Sequence, residues 1–545
     1  MEIAKLHNFE TLSPFEIKDE LIKLAKKTSR TTQSAFLNAG RGNPNWIATT
    51  PREGYFLLGQ FALTESRRVM EHPAGLGGMP QAHGIAGRLE AWLRLAKHAD
   101  TPGASFLSSM VDFAVKAFGF EPDAFVHELV DSIIGDNYPV PDRMLVHNER
   151  ITHEYLMWAM CGNPRPAGKF DLYAVEGGTA AMCYIFKSLK ANRLLRPGDT
   201  IALGTPIFTP YIEMTHLEDY DLKVVNIQAP QENRFQFTDA ELKKLENPKI
   251  KAFFVVNPGN PTGMACSKET IAKLANLVKT KRPDLMLLTD DVYGTFVEDF
   301  RSLLGELPHN TIGVYSYSKY FGATGWRLGV IAVHEDNIFD QMIAKLPDAD
   351  LRALDKRYGA LTLEPRKVKF IDRIVADSRD VALNHTAGLS LPQQVMMSLF
   401  SLAEMMDTAK VYQKACMEIV YRRAMTIIEA LGIELSPNPL YDAYYGLIDF
   451  EFFARKNIGD EAIEYLKKNV HPLDLAFRLA EDHGIVLLNG GGFEAPNWSL
   501  RVSLANLPDE AYEDIGRGVR SVARGYRDAF EASKSAPKAE PVGVK

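Results

Sequence analysis

"TIGVYSYSKYFGATGWRLGVIAVH", residues 311 to 334, consists of two apolar runs separated by a loop of small and polar residues. Both runs, "TIGVYS" and "LGVIAVH", are apolar at consecutive rather than alternating positions, which suits strands covered on both faces. The pattern recurs from about residue 170 onward in "FDLYAV", "DTIALG", "LKVVNI", "KAFFVV" and "LMLLT", with helix-length amphipathic stretches between them. The expected fold is therefore α/β: a large domain built on a mostly parallel, seven-stranded sheet flanked by helices.

The polar residues follow the runs. "KAFFVVNPGNPTG", "LMLLTDDVYG" and "TIGVYSYSK" each end in conspicuous side chains, which places them at carboxyl ends of strands, where open α/β sheets gather ligands. Three such ends are expected to form one site. Lys319 lies among Ser316, Ser318, Gly322 and Gly325, residues small enough to leave room for a ligand. A lysine desolvated there falls below the usual pKa of ~10.4 and becomes an amine nucleophile able to form a Schiff base.

An aldehyde cofactor that used such a lysine and also carried a phosphate and a ring nitrogen would need a partner for each. "AVEGGTAAM" puts Gly177, Gly178 and Thr179 between a strand and a helix start, where bare N–H groups attract an anion. Arg327 and Ser316 add a guanidinium fork and a hydroxyl. Asp290, ending "LMLLT", would keep a ring nitrogen protonated, although a helix-capping role is its ordinary alternative; Asp291 is the rival carboxylate. Asn260 in "NPGNPTG" offers an amide to a ring hydroxyl or a carboxylate, or simply makes a turn. Arg501, inside the apolar strand "LRVSLAN", predicts an anionic partner, either a substrate or a structural carboxylate.

The chain-wide features agree with small-molecule chemistry. In 545 residues, 62 basic and 69 acidic side chains give a net charge of -7, which offers no electrostatic reason to bind nucleic acid or an anionic membrane. Cys161, Cys183, Cys266 and Cys416 form no CxxC pair, and His147 and His153 lack a one-face metal spacing, so a cytoplasmic protein without a metal is expected. No apolar run reaches the ~18 residues of a membrane helix. The expected organisation is an N-terminal segment over 1–63 that joins the small domain and the site, then a helical insertion over 64–137. A large domain over 138–395 follows, then one long bridging helix from 393 to Gly432 within a small α+β domain over 396–532, whose strands include "AYYGLIDFEFF" and "SLRVSLANL", and a disordered tail over 533–545.

In that order, "NPGNPTG", "DDVYG", "SYSKYFGATGWRLG" and "LRVSLAN" resemble the fold type I pyridoxal-phosphate enzymes of the aspartate aminotransferase kind, well over residues 135–335 and more loosely beyond. The resemblance implies that Lys319 bonds the cofactor aldehyde, Asp290 pairs with the pyridine nitrogen, and Tyr293 and Asn260 reach the ring oxygen. It assigns the phosphate to Gly178, Thr179, Ser316 and Arg327, the substrate α-carboxylate to Arg501, and a stacking position on the ring to Phe208. Tyr138, in "DNYPVPDRML", resembles the tyrosine that reaches the neighbouring subunit's phosphate, which implies at least a homodimer.

The chain is longer than ordinary members of that family, with additional helical material in 64–137 and 338–385. In this it resembles the aspartate 4-decarboxylases, which convert aspartate to alanine and carbon dioxide, keep some aminotransferase activity and assemble dimers into large homo-oligomers up to a dodecamer. Arg41 in "NAGRGNPNW" and Arg379 are the expected contacts for the side-chain carboxylate. An aspartate or aromatic aminotransferase without decarboxylase activity is the alternative. A non-catalytic regulator built on the same fold would need a helix-turn-helix or a basic patch, and neither stands in the sequence.

Overall fold

The computed structural model describes residues 6, 8–9, 12–32, 35–95, 99–138, 143–379, 388–434 and 436–535. The seven apolar runs form one sheet: β1 (Phe170–Val175), β2 (Thr200–Thr205), β3 (Lys223–Gln228), β4 (Ile250–Val256), β5 (Met286–Asp290), β6 (Thr311–Ser316) and β7 (Gly329–His334). Their order is β1-β7-β6-β5-β4-β2-β3, with β7 antiparallel to both neighbours and the other pairs parallel. One edge therefore collects the carboxyl ends of β1 to β6 together with the amino end of β7. Gly329 pairs with Val175 on one side and Ser316 on the other, so Arg327 emerges between two strand ends. A Cβ at Gly329 would meet the Gly177 backbone at 2.7 Å, which is why that close approach needs glycine.

Consecutive apolar residues serve both faces. Val175, Leu203, Phe254, Leu288 and Val314 pack with Met182, Ile185 and Phe186 of the helix Gly178–Ala191 on one side. On the other side, Ala202, Phe253, Val255 and Leu287 pack with Ile271 and Leu274 of the helix Lys268–Lys281. Each fully buried leucine or isoleucine contributes about 1.5–3 kcal/mol, so a charged residue at Leu288 would break the layer.

A second, antiparallel sheet comprises β8 (Tyr445–Asp449), β9 (Leu488–Asn489) and β10 (Ser499–Ser503), with β10 central. The N-terminal stretch docks there: Leu37–Asn38 pairs in parallel with Ile485–Val486, and the helix Pro14–Thr32 packs on Asp474–His483. The helices Thr49–Val69, Ile85–Leu93, Pro102–Phe118 and Pro122–Ile134 bury a core of their own, including Leu58, Phe61, Leu107 and Phe125, against Val395 and Leu399 of the helix Leu391–Met406.

The structure corrects two element assignments. The helix expected from 393 to 432 is broken into Leu391–Met406 and Val411–Leu431: Lys410 is left-handed (φ 54°), and the Asp407 carboxylate accepts the Tyr412 N–H at 2.8 Å, a local turn that helical periodicity conceals. Gly432 caps the second helix at φ 68°. In "AYYGLIDFEFF" only Tyr445–Asp449 is strand; Asp449 then accepts the Phe452 N–H at 2.9 Å and starts the helix Phe450–Ile458. The C-terminal helix Ala511–Ser535 runs to Ser535, and the rest of the expected tail lies outside the described residues. Among the described residues no helix is long and apolar enough to cross a membrane.

Candidate active site

A cavity of about 330 Å³ opens at the collecting edge of the sheet, closed on its far side by β8 and β10 of the smaller domain and by the Gly42–Asn43 segment. Lys319, Asp290, Tyr293, Asn260, Gly178, Thr179, Ser316, Arg327, Arg501 and Phe208 all line it. Six strand ends of the large sheet and two strands of the smaller domain thus converge on a volume that fits a small organic molecule.

One corner is built for an anion. β1 ends at Val175, the chain turns through Gly177 at φ 89°, and the helix Gly178–Ala191 begins with its first N–H groups directed into the corner. A side chain at Gly177 would strike the Arg327 guanidinium. Arg327 donates to the backbone carbonyls of Thr324 (2.9 Å) and Glu176 (3.2 Å), and among the described residues no carboxylate pairs with it. The Ser316 hydroxyl donates to Ser318 Oγ at 2.9 Å beside the same corner.

Lys319 follows β6 directly. Its Nζ donates to the Gly42 carbonyl at 2.9 Å, an oxygen that also accepts the Tyr444 hydroxyl at 2.8 Å. Burial pulls the amine below its ordinary pKa; Tyr445 and Asp290 raise it, and Arg501 and Arg327 lower it. Asp290, ending β5, accepts the Tyr211 hydroxyl at 3.2 Å and is pushed up to about 6 by burial. Asp291 faces away from the cavity: Thr289 and Ser302 donate to its two oxygens, and burial pushes it up to about 7. The two neighbouring carboxylates are thus sorted by which one keeps acceptor capacity toward the cavity.

Arg501 is 1% exposed in the central strand β10. It donates to Asn260 Oδ1 at 3.2 Å and the Gly40 carbonyl at 2.9 Å, its Nε has no partner, and no carboxylate pairs with it among the described residues. Aromatic rings surround the guanidinium, with Tyr445 at 4.4 Å, Phe493 at 5.1 Å and Phe15 at 5.7 Å from its carbon. A buried cation held only by neutral oxygens and ring faces attracts a carboxylate. Phe208 stands on the cavity wall, edge-on to Phe15 at 5.9 Å.

Three expected residues are not brought to this cavity by the single chain. Arg41 is exposed, although the adjacent Gly42 and Asn43 line the wall. Arg379 ends the helix Phe370–Arg379 and lines a different cavity with Arg143 and Asp372. Tyr138 is 70% exposed. Sequence reasoning missed Tyr211, which lies one helical turn beyond Phe208, and the consecutive Tyr444 and Tyr445 of "AYYGLIDF". The first could have been found from its spacing; for the other two an apolar strand gives no sign that it meets a lysine from the other domain.

A family model described as aminotransferase class I and II matches residues 177–347. A Pseudomonas protein named bifunctional aspartate aminotransferase and L-aspartate beta-decarboxylase is 48% identical over 522 residues, which cover 96% of this chain and 97% of its own. Aromatic-amino-acid aminotransferase 2 of Thermococcus litoralis is 33% identical over 147 residues, 26% of this chain and 36% of its own. Among solved structures, a double mutant of Thermus thermophilus aspartate aminotransferase matches with a TM-score of 0.54 at 18% identity, covering 93% of this chain and 96% of its own. An aromatic aminotransferase from Pyrococcus horikoshii OT3 gives 0.54 at 15%, covering 91% and 98%. At those identities the structural matches establish the fold.

Proposed function

The chain belongs to the class I and II aminotransferase family, and on that basis we propose that it removes the β-carboxylate of L-aspartate to give L-alanine and carbon dioxide, with aspartate aminotransferase activity as a side reaction. The observation that carries this choice is the match along nearly the whole of both chains to a protein named for both activities, where the Thermococcus aminotransferase match spans 26% of this one.

Pyridoxal 5'-phosphate is the cofactor, and the cavity's groups fit it: an anion corner, a lysine and a carboxylate stand on separate walls of one space. Gly178, Thr179, Ser316 and Arg327 would hold its phosphate, Asp290 its ring nitrogen, Asn260 and Tyr293 its ring oxygen, and Phe208 would cover its face. When bound, the cofactor supplies an electron-withdrawing ring that stabilises negative charge on the attached substrate. The protein supplies placement and protons. Arg501 takes the α-carboxylate, orienting the substrate so that its α-hydrogen faces Lys319. The lowered pKa leaves more of the Lys319 amine neutral and able to remove that proton. The β-carboxylate then departs as carbon dioxide, leaving its bonding electrons behind.

A tight ion pair on the departing carboxylate would raise the barrier, because the charge would be better stabilised before the bond breaks than during it. Arg327 and Arg501 are the guanidinium groups on the cavity wall of one chain, and both have other assignments. Arg41, beside the wall, and Arg379 from a second copy are the groups left for the side-chain carboxylate. A homodimer in which the exposed Tyr138 crosses to the partner's phosphate corner fits the same picture, as do larger assemblies of dimers. The free thiols Cys161, Cys183, Cys266 and Cys416 fit a cytoplasmic setting.

Loaded enzyme incubated with aspartate and 2-oxoglutarate should release alanine and carbon dioxide in equal amounts, with Lys319→Ala inactive and lacking the visible cofactor absorbance. Oxaloacetate and glutamate without carbon dioxide would establish the plain aminotransferase instead.

A further inference from the structure

When carbon dioxide leaves the substrate, the β-carbon keeps an electron pair and must gain a proton to become the methyl group of alanine. The cavity wall offers few acids for this step. Its ionisable side chains are Lys319, Asp290, Tyr211, Tyr293, Tyr445, Arg327 and Arg501. Lys319 is committed to the α-proton and Asp290 to the cofactor ring. Tyr211 gives its proton to Asp290 at 3.2 Å, and Tyr293, which donates to Tyr445 at 3.4 Å, is committed to the ring oxygen when the cofactor is bound. The Tyr445 hydroxyl only accepts: among the described residues it donates to nothing. It is the wall tyrosine with a proton left to give.

Its position suits the task. A Cβ added at Gly42 would lie 2.6 Å from Tyr445 Oη and 3.1 Å from Lys319 Nζ, so the two groups flank one point on the cavity wall. The Tyr445 ring also lies 4.4 Å beneath the Arg501 guanidinium. A substrate whose α-carboxylate is on Arg501 and whose α-carbon faces Lys319 therefore has Tyr445 beside its next carbon.

We propose that Tyr445 is a catalytic acid that hands its proton to the substrate β-carbon after the bond to the departing carboxylate breaks; this rests on the β-decarboxylase reading. The electron pair of the broken C–C bond forms the new C–H bond, the O–H pair stays on the Tyr445 oxygen, and solvent later reprotonates it. The resulting phenolate is stabilised where it forms by the charge of Arg501, whose guanidinium lies over the Tyr445 ring. Burial alone would raise the Tyr445 pKa, but Lys319, Arg501 and the Tyr293 hydrogen bond bring it below its ordinary value, which eases loss of the proton.

Tyr445→Phe keeps the ring under Arg501 and removes only the hydroxyl. Alanine formation should fall about a hundredfold, the low end of what a positioned acid contributes, while oxaloacetate formation falls by a few-fold at most, so that the ratio of the two products shifts by tenfold or more. In cofactor-free protein, a near-ultraviolet titration of tyrosinate absorbance should show one tyrosine ionising ahead of the others, and that step should vanish in the variant. Equal losses of alanine and oxaloacetate, or an unchanged alanine rate, would overturn the assignment to Tyr445. Absence of alanine and carbon dioxide from the wild-type enzyme would instead overturn the decarboxylase reading, and the parallel wild-type assay separates the two failures.

Discussion

Two clusters of charge, each with a buried carboxylate, lie toward opposite ends of the helix Gly178–Ala191 and differ in one respect. At its carboxyl end Asp377 is saturated: it accepts Ser188 (2.7 Å), Asn192 (3.1 Å), Arg357 (2.8 Å) and Tyr358 (3.0 Å), while Arg373 donates to Asn192 at 3.2 Å. At its amino end, Arg327 and Arg501 have no carboxylate partner among the described residues and Asp290 has no cation bonded to it. Burial of charge therefore does not by itself distinguish a site from a staple. What distinguishes them is hydrogen-bonding capacity left unspent, which costs stability and is retained only where a ligand completes it.

That contrast can be broken by substitution. Replacing Arg501 with Leu should lower kcat/KM for aspartate by about 10³, roughly 4 kcal/mol, because the substrate carboxylate loses a buried charge-assisted contact; thermal unfolding should barely move. A variant that unfolds instead would make Arg501 structural. Asp377→Ala should do the reverse, costing about 3 kcal/mol in denaturant unfolding by stranding Arg357, Asn192 and Ser188, while the folded fraction keeps its turnover number. Loss of turnover in fully folded Asp377→Ala would erase the distinction.

The smallest expected effect tests the sign of the electrostatics. The folded pKa of Asp290, about 6, lies above its ordinary 3.8, so folded protein binds more protons than unfolded protein between those values and loses stability as pH rises through that window. Cofactor-free Asp290→Asn should accordingly be more stable than cofactor-free wild type at pH 8, with the difference shrinking toward pH 4. The same variant should hold the cofactor more weakly. Destabilisation at pH 8 would show that Asp290 is as fully satisfied as Asp377.

Much of the site was legible because its residues punctuate apolar runs. A lysine, an aspartate and an asparagine at strand ends must face the edge that a parallel sheet presents, and Lys319, Asp290 and Asn260 all line the cavity there. Arg501 was legible for a different reason, since a guanidinium in an apolar strand requires an anion. Tyr445 was not, because it occupies an ordinary strand position and becomes notable only through Gly42 and Lys319, which come from two distant parts of the chain. The break at Asp407–Lys410 escaped because the apolar residues on either side continue a helical spacing while a single carboxylate redirects the backbone.

Arg41 and Arg379 mark a further limit: neither lines this cavity in the single chain, and no local pattern around either residue says what it meets. The sequence by itself determined the sheet and which residues meet at its carboxyl edge, because these follow from hydrophobic periodicity and from residues placed at the ends of strands; the cofactor came from the family resemblance. Only the tertiary structure showed what holds Asp291 away from the cavity, and which wall tyrosine donates to nothing among the described residues. Both depend on hydrogen-bond partners supplied by Ser302, Tyr211 and Tyr293, and no spacing along one strand encodes where another strand's hydroxyl will point.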